Sequence, residues 1–465
     1  MSDNKSEIKK ITVKIRRTSY IVASMLFVAT LTTLFAVSLD LPVRPSFSES
    51  EKRELAKFPE FSFSSLFNGE YFNGINSWFS DTFPFRDSLI KCSSDIKRLM
   101  GMSNTIHNFS ENKADIIPDA EITSQETADV QVQAPESASS NDLLKPALPM
   151  GNKENSTSSQ NSGNDIIEQK FDSIYIYGNT AYEYYNFVQS TADNYVSAIN
   201  SAANEAANYG INFYNMIIPT STDITLNENT RKKLNSSDQK NAINYMSSKM
   251  NSNVKTVAIF DLMKAHKDEY IYFRTDHHWT GLGAYYAYAQ FMTVKGGKYE
   301  PLSNFTEYSF NDFLGTFYND TGKNQELAKT PDTVYAYVPP YTNTFKMKEK
   351  GASDYLEWPI ICDVSNYSQA YKYLCFIGGD NPISVIENKD MENGETCVLV
   401  KESFGNAFAP YLVCNYKYVY IVDYRYFDSD IVSFAKEKGA TDIIVQNNIS
   451  MTRNKDLVNR LSNML

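Results

Sequence analysis

From Phe171 to the C-terminus, short dense apolar runs alternate with longer segments in which apolar residues recur every three or four positions. The first rhythm predicts buried strands and the second amphipathic helices. FDSIYIYG (171–178) reads as a strand or hairpin. Residues 186–209 read as a helix, with Val188, Tyr195, Ile199, Ala202, Ala206 and Tyr209 near one face. INFYNMIIP (211–219) reads as a buried strand closed by Pro219-Thr220-Ser221, and 238–250 as a further helix. VKTVAIFDL (254–262) follows as a strand, then a loop around Asp276–His278 and a helix over 280–292. TCVLVKES (396–403), YKYVYIVDY (416–424) and ATDIIVQ (440–446) are apolar runs of the parallel-sheet kind, with helices expected over 406–414 and 429–438. Strand–helix alternation of this sort predicts an α/β sandwich with a mostly parallel sheet over 170–465.

The chain ahead of this domain is patterned differently. Lys5, Lys9, Lys10, Lys14, Arg16 and Arg17 precede an uncharged stretch, 18–39, long enough to cross a hydrocarbon core. Basic residues before the stretch and Asp40 after it place the tail 1–17 in the cytoplasm and the remainder outside. The length of the apolar run favours an uncleaved signal anchor over a signal peptide cut near Ala36-Val37-Ser38. Residues 40–103 read as a juxtamembrane segment whose apolar face (Trp78, Phe79, Phe83, Phe85, Leu89) packs on the main domain, with Arg86 tied to Asp81 and Asp87. Residues 104–169 turn to Ser, Asn, Glu, Gln and Pro and predict a disordered insertion without chemistry.

Composition narrows the function. A net charge of -11 argues against a nucleic-acid partner held by bulk electrostatics. Aromatic residues make up 14 %, with 32 tyrosines, which suits either half-buried strand positions or a surface on which sugar rings stack. Five scattered cysteines (Cys92, Cys362, Cys375, Cys397, Cys414) without CxxC spacing form neither a disulfide framework nor a zinc site. No cofactor motif is present.

Chemistry concentrates in FRTDHHWTGLGAYYAY (273–288), which holds two of the four histidines. An Asp-x-His pair at a loop-to-helix junction can hold a general base beside the carboxylate that orients it, which fits Asp276 and His278. The nucleophile must come from elsewhere. In VLVKES-FGNAF a strand runs into Ser403 and a helix opens beyond Gly405, so Ser403 stands where reactive groups collect in α/β sheets, unless it is only an N-cap. Gly378 and Gly379, after a strand in CFIGGDNPISV, either present an N–H to a substrate oxygen or make a tight turn. Asn406 either donates its amide to an oxyanion or solvates the helix start. Trp279 is a sugar platform or packs beneath the loop, and Arg425 either lines the cleft or pairs with Asp423. His266 reads as part of a solvated helix face. Asp276, His277 and His278 form a poor metal set, because adjacent histidines rarely face one ion.

SEKREL…FP, GEYF…W…DTFPFRDSL, IYFRTDHHWTGLGAYYAY, FIGGDNP, VKESFGNAF and IVDYRYF together resemble the DHHW family of bacterial envelope proteins. They are also similar to the wider SGNH-hydrolase-like group of alginate O-acetyltransferases of the AlgX/AlgJ type. The resemblance covers the chain outside 104–169. It implies an SGNH-hydrolase-like three-layer fold and an Asp276–His278–Ser403 triad. It further implies a membrane-anchored O-acetyltransferase that moves an acyl group to an exopolysaccharide or cell-wall glycan, with a multi-spanning membrane acyltransferase as its acetyl donor. The GDSL serine block of secreted esterases is absent, so no oxyanion residue carries over, and neither does a role for His277. A carbohydrate esterase and a non-catalytic envelope protein of the same fold stand as alternatives.

Overall fold

The structure, a computed structural model, describes residues 173–465 continuously and, ahead of them, 168–171, 136–137, 132, 127–130, 114–120 and scattered positions between 47 and 82. The expected tail and membrane span, 1–39, lie outside the described residues. Among the described residues no helix is long and apolar enough to cross a membrane. The chain divides into two compact units, Met1–His107 and Asn108–Leu465. In the first, Phe47–Ser48 pairs antiparallel with Arg53–Glu54, and the Phe58 ring meets Trp78 edge-on at 4.8 Å. Phe83, Phe85, Leu89 and the Arg86 tie fall outside the described residues.

The second unit opens with pieces of the segment expected to be disordered. Ala128 and Val130 are buried in the core, the Ala128 N–H donates to Gln290 Oε1 at 2.7 Å, and Asp115 accepts the Gln189 N–H. β1 (Glu136–Ser137) pairs with a strand of the main unit. The expectation of disorder fails at these positions because short apolar residues there find a surface and their backbone groups find partners.

The remaining strands are β2 (Glu168–Lys170), β3 (Ile174–Tyr177), β4 (Thr180–Glu183), β5 (Asn212–Ile218), β6 (Val254–Thr256), β7 (Thr306–Phe313), β8 (Asp332–Val338), β9 (Asn343–Lys348), β10 (Leu356–Trp358), β11 (Ile383–Asn388), β12 (Thr396–Lys401), β13 (Tyr418–Asp423) and β14 (Asp442–Asn448). The helices that matter here are α1 (Gln189–Ala207), α2 (Gln239–Ser248), α3 (Phe260–Ala265), α4 (Gly281–Lys295), α5 (Gly405–Leu412), α6 (Ile431–Glu437) and α7 (Lys455–Met464).

The main sheet runs β10-β9-β11-β13-β12-β14-β5-β6. It is mixed: β13, β12, β14, β5 and β6 are parallel, and β11, β9 and β10 extend it antiparallel. Period-two alternation feeds two cores. Val398 and Val400 of β12 face α1, α2, α6 and α7, while Cys397 and Leu399 face α4 and α5. Helices on both faces make the three layers. β2–β3–β4 form a separate meander, and β7 and β8 pair beside β1.

Helix ends follow local chemistry. Asp238, Thr280 and Asp430 each accept the N–H three residues on, satisfying a donor the helix cannot. VKTVAIFDL is a strand only as far as Thr256, and its apolar tail turns into α3. His266, at the end of α3, is half-buried and stacks on Tyr286 at 3.9 Å, so it does not lie on a solvated face.

Candidate active site

The DHHW loop is a tight excursion between α3 and α4. Its base is closed by a bridge between Tyr272 and Trp279 and by the Phe273 N–H on the His278 carbonyl. Asp332, fully buried at the start of β8, pins one arm: it accepts from the Arg274 and Thr275 amides, the Thr275 hydroxyl, the Tyr270 hydroxyl and Arg274 Nε. The loop is thereby held before it does any chemistry.

At its tip, Asp276 Oδ1 lies 2.5 Å from His278 Nδ1 and also accepts the His278 N–H at 3.1 Å. Oδ2 accepts the Thr316 N–H at 2.7 Å and the Thr316 hydroxyl at 2.9 Å. A Cβ on Gly315 would stand 2.2 Å from Asp276 Oδ2, so only glycine lets the Thr316 amide come this close. An ionised carboxylate only accepts, so His278 carries its proton on Nδ1 and turns the Nε2 lone pair outward. Ser403 Oγ sits 2.7 Å from that nitrogen.

Three aromatic contacts fix the imidazole plane. Tyr373 stacks on it at 4.1 Å and 12°, with Phe404 at 4.9 Å and the His277 ring at 3.9 Å. The Tyr373 hydroxyl also donates to the Ser403 carbonyl at 3.1 Å, so one ring contacts both His278 and Ser403.

Ser403 stands in the turn between β12 and α5, as its sequence context indicates. A Cβ at Gly405 would meet Lys401 Cβ at 2.4 Å, so glycine lets α5 start hard against its own strand. Ser403 is therefore no simple N-cap. Phe404 precedes α5, and no side chain caps that helix. Ser403 Oγ also lies 3.2 Å from Glu402 Oε2, whose two oxygens accept the Phe404 and Asn448 amides.

The other candidates fall elsewhere. Asn406 Nδ2 donates one of its two protons to Asp380 Oδ1 at 2.9 Å. Gly378 and Gly379 follow a 3-10 helix (Gln369–Cys375), not a strand, and adopt φ of 66° and 92°. Their nearest neighbours are Met347, Trp358 and Leu374, and they turn the chain that delivers Asp380. Trp279 is fully buried and donates Nε1–H to the Phe404 carbonyl at 2.9 Å; it supports the loop and is closed to a sugar. Arg425 pairs with Asp423 through Nε (2.9 Å) and Nη2 (2.6 Å) and reaches Asp380 at 2.8 Å. His277 Nδ1 lies 2.6 Å from the Thr316 hydroxyl. One ligand atom each from Asp276, His277 and His278 falls within 4.8 Å of the others, but an ion there would have to displace the Asp276–His278 and His277–Thr316 hydrogen bonds.

Burial sets the local electrostatics. It pushes the Glu402 carboxyl above its usual value, against the pull of Arg425 and the two amides. It does the same to Glu183, at the end of β4, against Arg453 and His277. Burial also lowers His277, with the His278 charge acting the same way and Asp276, Glu183 and Glu402 opposing.

Fold and site together define an α/β protein with a Ser–His–Asp hydrogen-bond relay at the carboxyl edge of its parallel strands. Over residues 51–422 the chain matches the model of the DHHW protein family, and it belongs to that family. A DHHW family protein from Eubacterium siraeum DSM 15702 is similar in structure, with 28% identity, a TM-score of 0.58, and coverage of 64% of this chain and 97% of that one. PatB1 of Bacillus cereus, solved with a sulfonyl adduct, shares the fold at 21% identity and a TM-score of 0.50, over 63% of this chain and 97% of its own. No curated protein matches the chain.

Proposed function

We propose that this protein is an O-acetyltransferase working through an acyl-serine at Ser403, with an exopolysaccharide or cell-wall glycan as acceptor. The observation that carries this reading is the continuous line Asp276 Oδ1–His278 Nδ1, His278 Nε2–Ser403 Oγ, at 2.5 and 2.7 Å. His278 takes the hydroxyl proton as Oγ attacks the acyl carbonyl, and Asp276 stabilises the imidazolium that forms. His278 returns that proton to the departing donor group, leaving the ester on Ser403. An acceptor hydroxyl then gives its proton to His278 and attacks the ester, and Ser403 recovers its proton. The uncharged 18–39 stretch anchors the chain in the cell membrane with the catalytic unit outside, and a multi-spanning membrane acyltransferase supplies the acetyl group.

The test is covalent labelling of the full-length protein with a fluorophosphonate or an activated acyl ester, read by peptide mass. Adduct on Ser403 in the wild type and none in folded His278→Ala supports the reading. A folded wild type that takes no label at Ser403 returns the DHHW loop to a structural role.

A further inference from the structure

Ser403 Oγ has two polar neighbours, His278 Nε2 at 2.7 Å and Glu402 Oε2 at 3.2 Å, and one hydrogen to give. The rest of the site decides where that hydrogen goes. Thr316 Oγ1 sends its one proton to Asp276 Oδ2, which can only accept. Toward His277 Nδ1, 2.6 Å away, the same oxygen must accept, so His277 carries its proton there. Burial disfavours a second proton on that ring, which leaves His277 neutral. Asp276 Oδ1 takes the His278 Nδ1 proton, so Ser403 spends its hydrogen on the bare His278 Nε2. Toward Glu402, Oγ has only lone pairs left.

Glu402 differs from the other buried acids around it. Asp276 accepts four hydrogen bonds, and Asp423 is paired with Lys401 and Arg425. Glu402 accepts two backbone amides, Phe404 on Oε2 at 3.2 Å and Asn448 on Oε1 at 3.0 Å. Among the described residues no cation is hydrogen-bonded or ion-paired to it. Arg425 acts on it from farther off, with its guanidinium bonded to Asp423 and Asp380, and burial is the larger influence. An ionised Glu402 would set its oxygen against the lone pairs of Oγ. As an acid it satisfies every atom: Oε2–H points at Oγ, a lone pair of Oε2 takes the Phe404 amide, and Oε1 takes the Asn448 amide. The contact is long for an O–H···O bond at rest and can shorten as charge gathers on Oγ.

We propose that Glu402 is held as a neutral acid whose O–H donates to Ser403 Oγ and stabilises this oxygen as it leaves the acyl group. This rests on the acyl-serine reading above and concerns its second half-reaction. The acceptor alcohol gives its proton to His278, and its oxygen bonds to the acyl carbon. The Ser403 Oγ–C(acyl) bond breaks, and its electron pair stays on Oγ. His278 returns the proton to Oγ, while Glu402 keeps its own throughout. In the first half-reaction Oγ is the attacking atom and the departing charge settles on the acyl donor's own leaving group, so Glu402 contributes less there.

Two measurements on the full-length protein test this. The first is an infrared difference spectrum at neutral pH, wild type minus Glu402→Gln. A carboxylic-acid C=O band that moves in D2O is expected, and a carboxylate band in its place overturns the neutral acid. The second compares wild type with Glu402→Met, with 4-nitrophenyl acetate as acyl donor and glycerol as acceptor. Release of 4-nitrophenolate with enzyme in excess gives the acylation rate. Loss of the acetyl adduct from Ser403 after the acyl donor is removed, followed by peptide mass, gives the transfer rate. The ratio of transfer to acylation should fall about 10- to 100-fold in the variant, the worth of a hydrogen bond to a charged group. An unchanged ratio overturns the leaving-group role, since a merely structural part slows both steps alike. Should Glu402→Met not fold, Glu402→Gln is read for the same ratio, because the Phe404 amide requires its oxygen, which has no hydrogen, beside Oγ. A wild type that takes no acetyl group on Ser403 sinks the acyl-serine reading and the leaving-group role with it, while the infrared band still decides whether Glu402 holds the proton.

Discussion

Two polar networks grow from the end of the same strand, β12, and they are built on opposite rules. On one side Lys401, almost wholly buried, lies between Asp423 (2.9 Å) and Asp380 (3.0 Å), and Arg425 closes the group against both acids. Burial works against the Lys401 charge, yet the two carboxylates hold the ammonium above its usual value. Asp380 is likewise held well below the carboxylate range by Lys401 and Arg425 despite burial. Each charge there meets an opposite charge. On the other side, around Ser403, burial wins: Glu402 and Glu183 are pushed up and His277 is pushed down. A network of paired charges resists change and acts as scaffold; groups shifted by burial mark where chemistry is placed. One strand thus carries both, with Lys401 facing the scaffold and Glu402–Ser403 facing the chemistry.

Substitutions on the two sides should therefore fail in different ways. On the reactive side we expect Asp276→Asn to lower Ser403 acylation by about 10³- to 10⁴-fold with folding retained, because the amide no longer fixes the tautomer that leaves Nε2 free. Stopped-flow release of 4-nitrophenolate measures it, and a loss under tenfold would mean that His278 does not depend on Asp276. On the scaffold side Lys401→Met leaves Asp380 and Asp423 with only Arg425 between them. Breaking a buried pair in this way costs about 3–5 kcal/mol. A urea midpoint nearly unchanged from wild type would show that the Lys401 network is not the scaffold described.

The contrast also explains what the sequence could reveal. β12, TCVLVK, is buried at every position and β14 at all but the last, and runs of this kind announce themselves as parallel strands. The antiparallel edge did not announce itself. β9, NTFKMK, in that edge, and β7, TEYSFNDF, in the separate β8-β7-β1 sheet, interleave apolar with exposed polar residues, so neither has a dense run to notice. The site divides along the same line. Asp276 and His278 are two residues apart, and Ser403 follows a legible strand. The groups that fix them come from the illegible stretch: Gly315, Thr316, Asp332 and Tyr373 reach the DHHW loop only through tertiary placement. A Gly-Thr pair opening the short helix Thr316–Asp320 was the one local hint of an amide aimed at a carboxylate.

Support of the reactive loop is a smaller effect than either network. Trp279→Phe keeps the buried ring but removes the donor to the Phe404 carbonyl, next to Ser403. We expect a stability loss of about 1–3 kcal/mol, the cost of an orphaned buried acceptor. Denaturant unfolding checks it; no change would mean that the carbonyl finds another donor.

The finest distinction is electrostatic and concerns His277 alone. Burial, and then the His278 charge, hold its folded-state pKa below the ordinary imidazole value of about 6.5. Between the depressed folded value and the unfolded one, the unfolded chain binds more protons, so stability rises with pH through that window. Its contribution is complete above the unfolded value and is lost as pH falls toward the folded one, at about 1.4 kcal/mol per unit of displacement. Glu402 and Glu183 act with the opposite sign, since their raised values make stability fall as pH rises through them. The difference between wild type and His277→Phe contains the histidine's own titration together with its pull on Glu402 and Glu183. If that difference is flat across the mildly acidic range, or if His277 titrates by NMR at or above an exposed histidine, the ring is not the neutral acceptor the Thr316 hydrogen bond requires. The reactive side would then lose the lone pair that sets it apart from the Lys401 side.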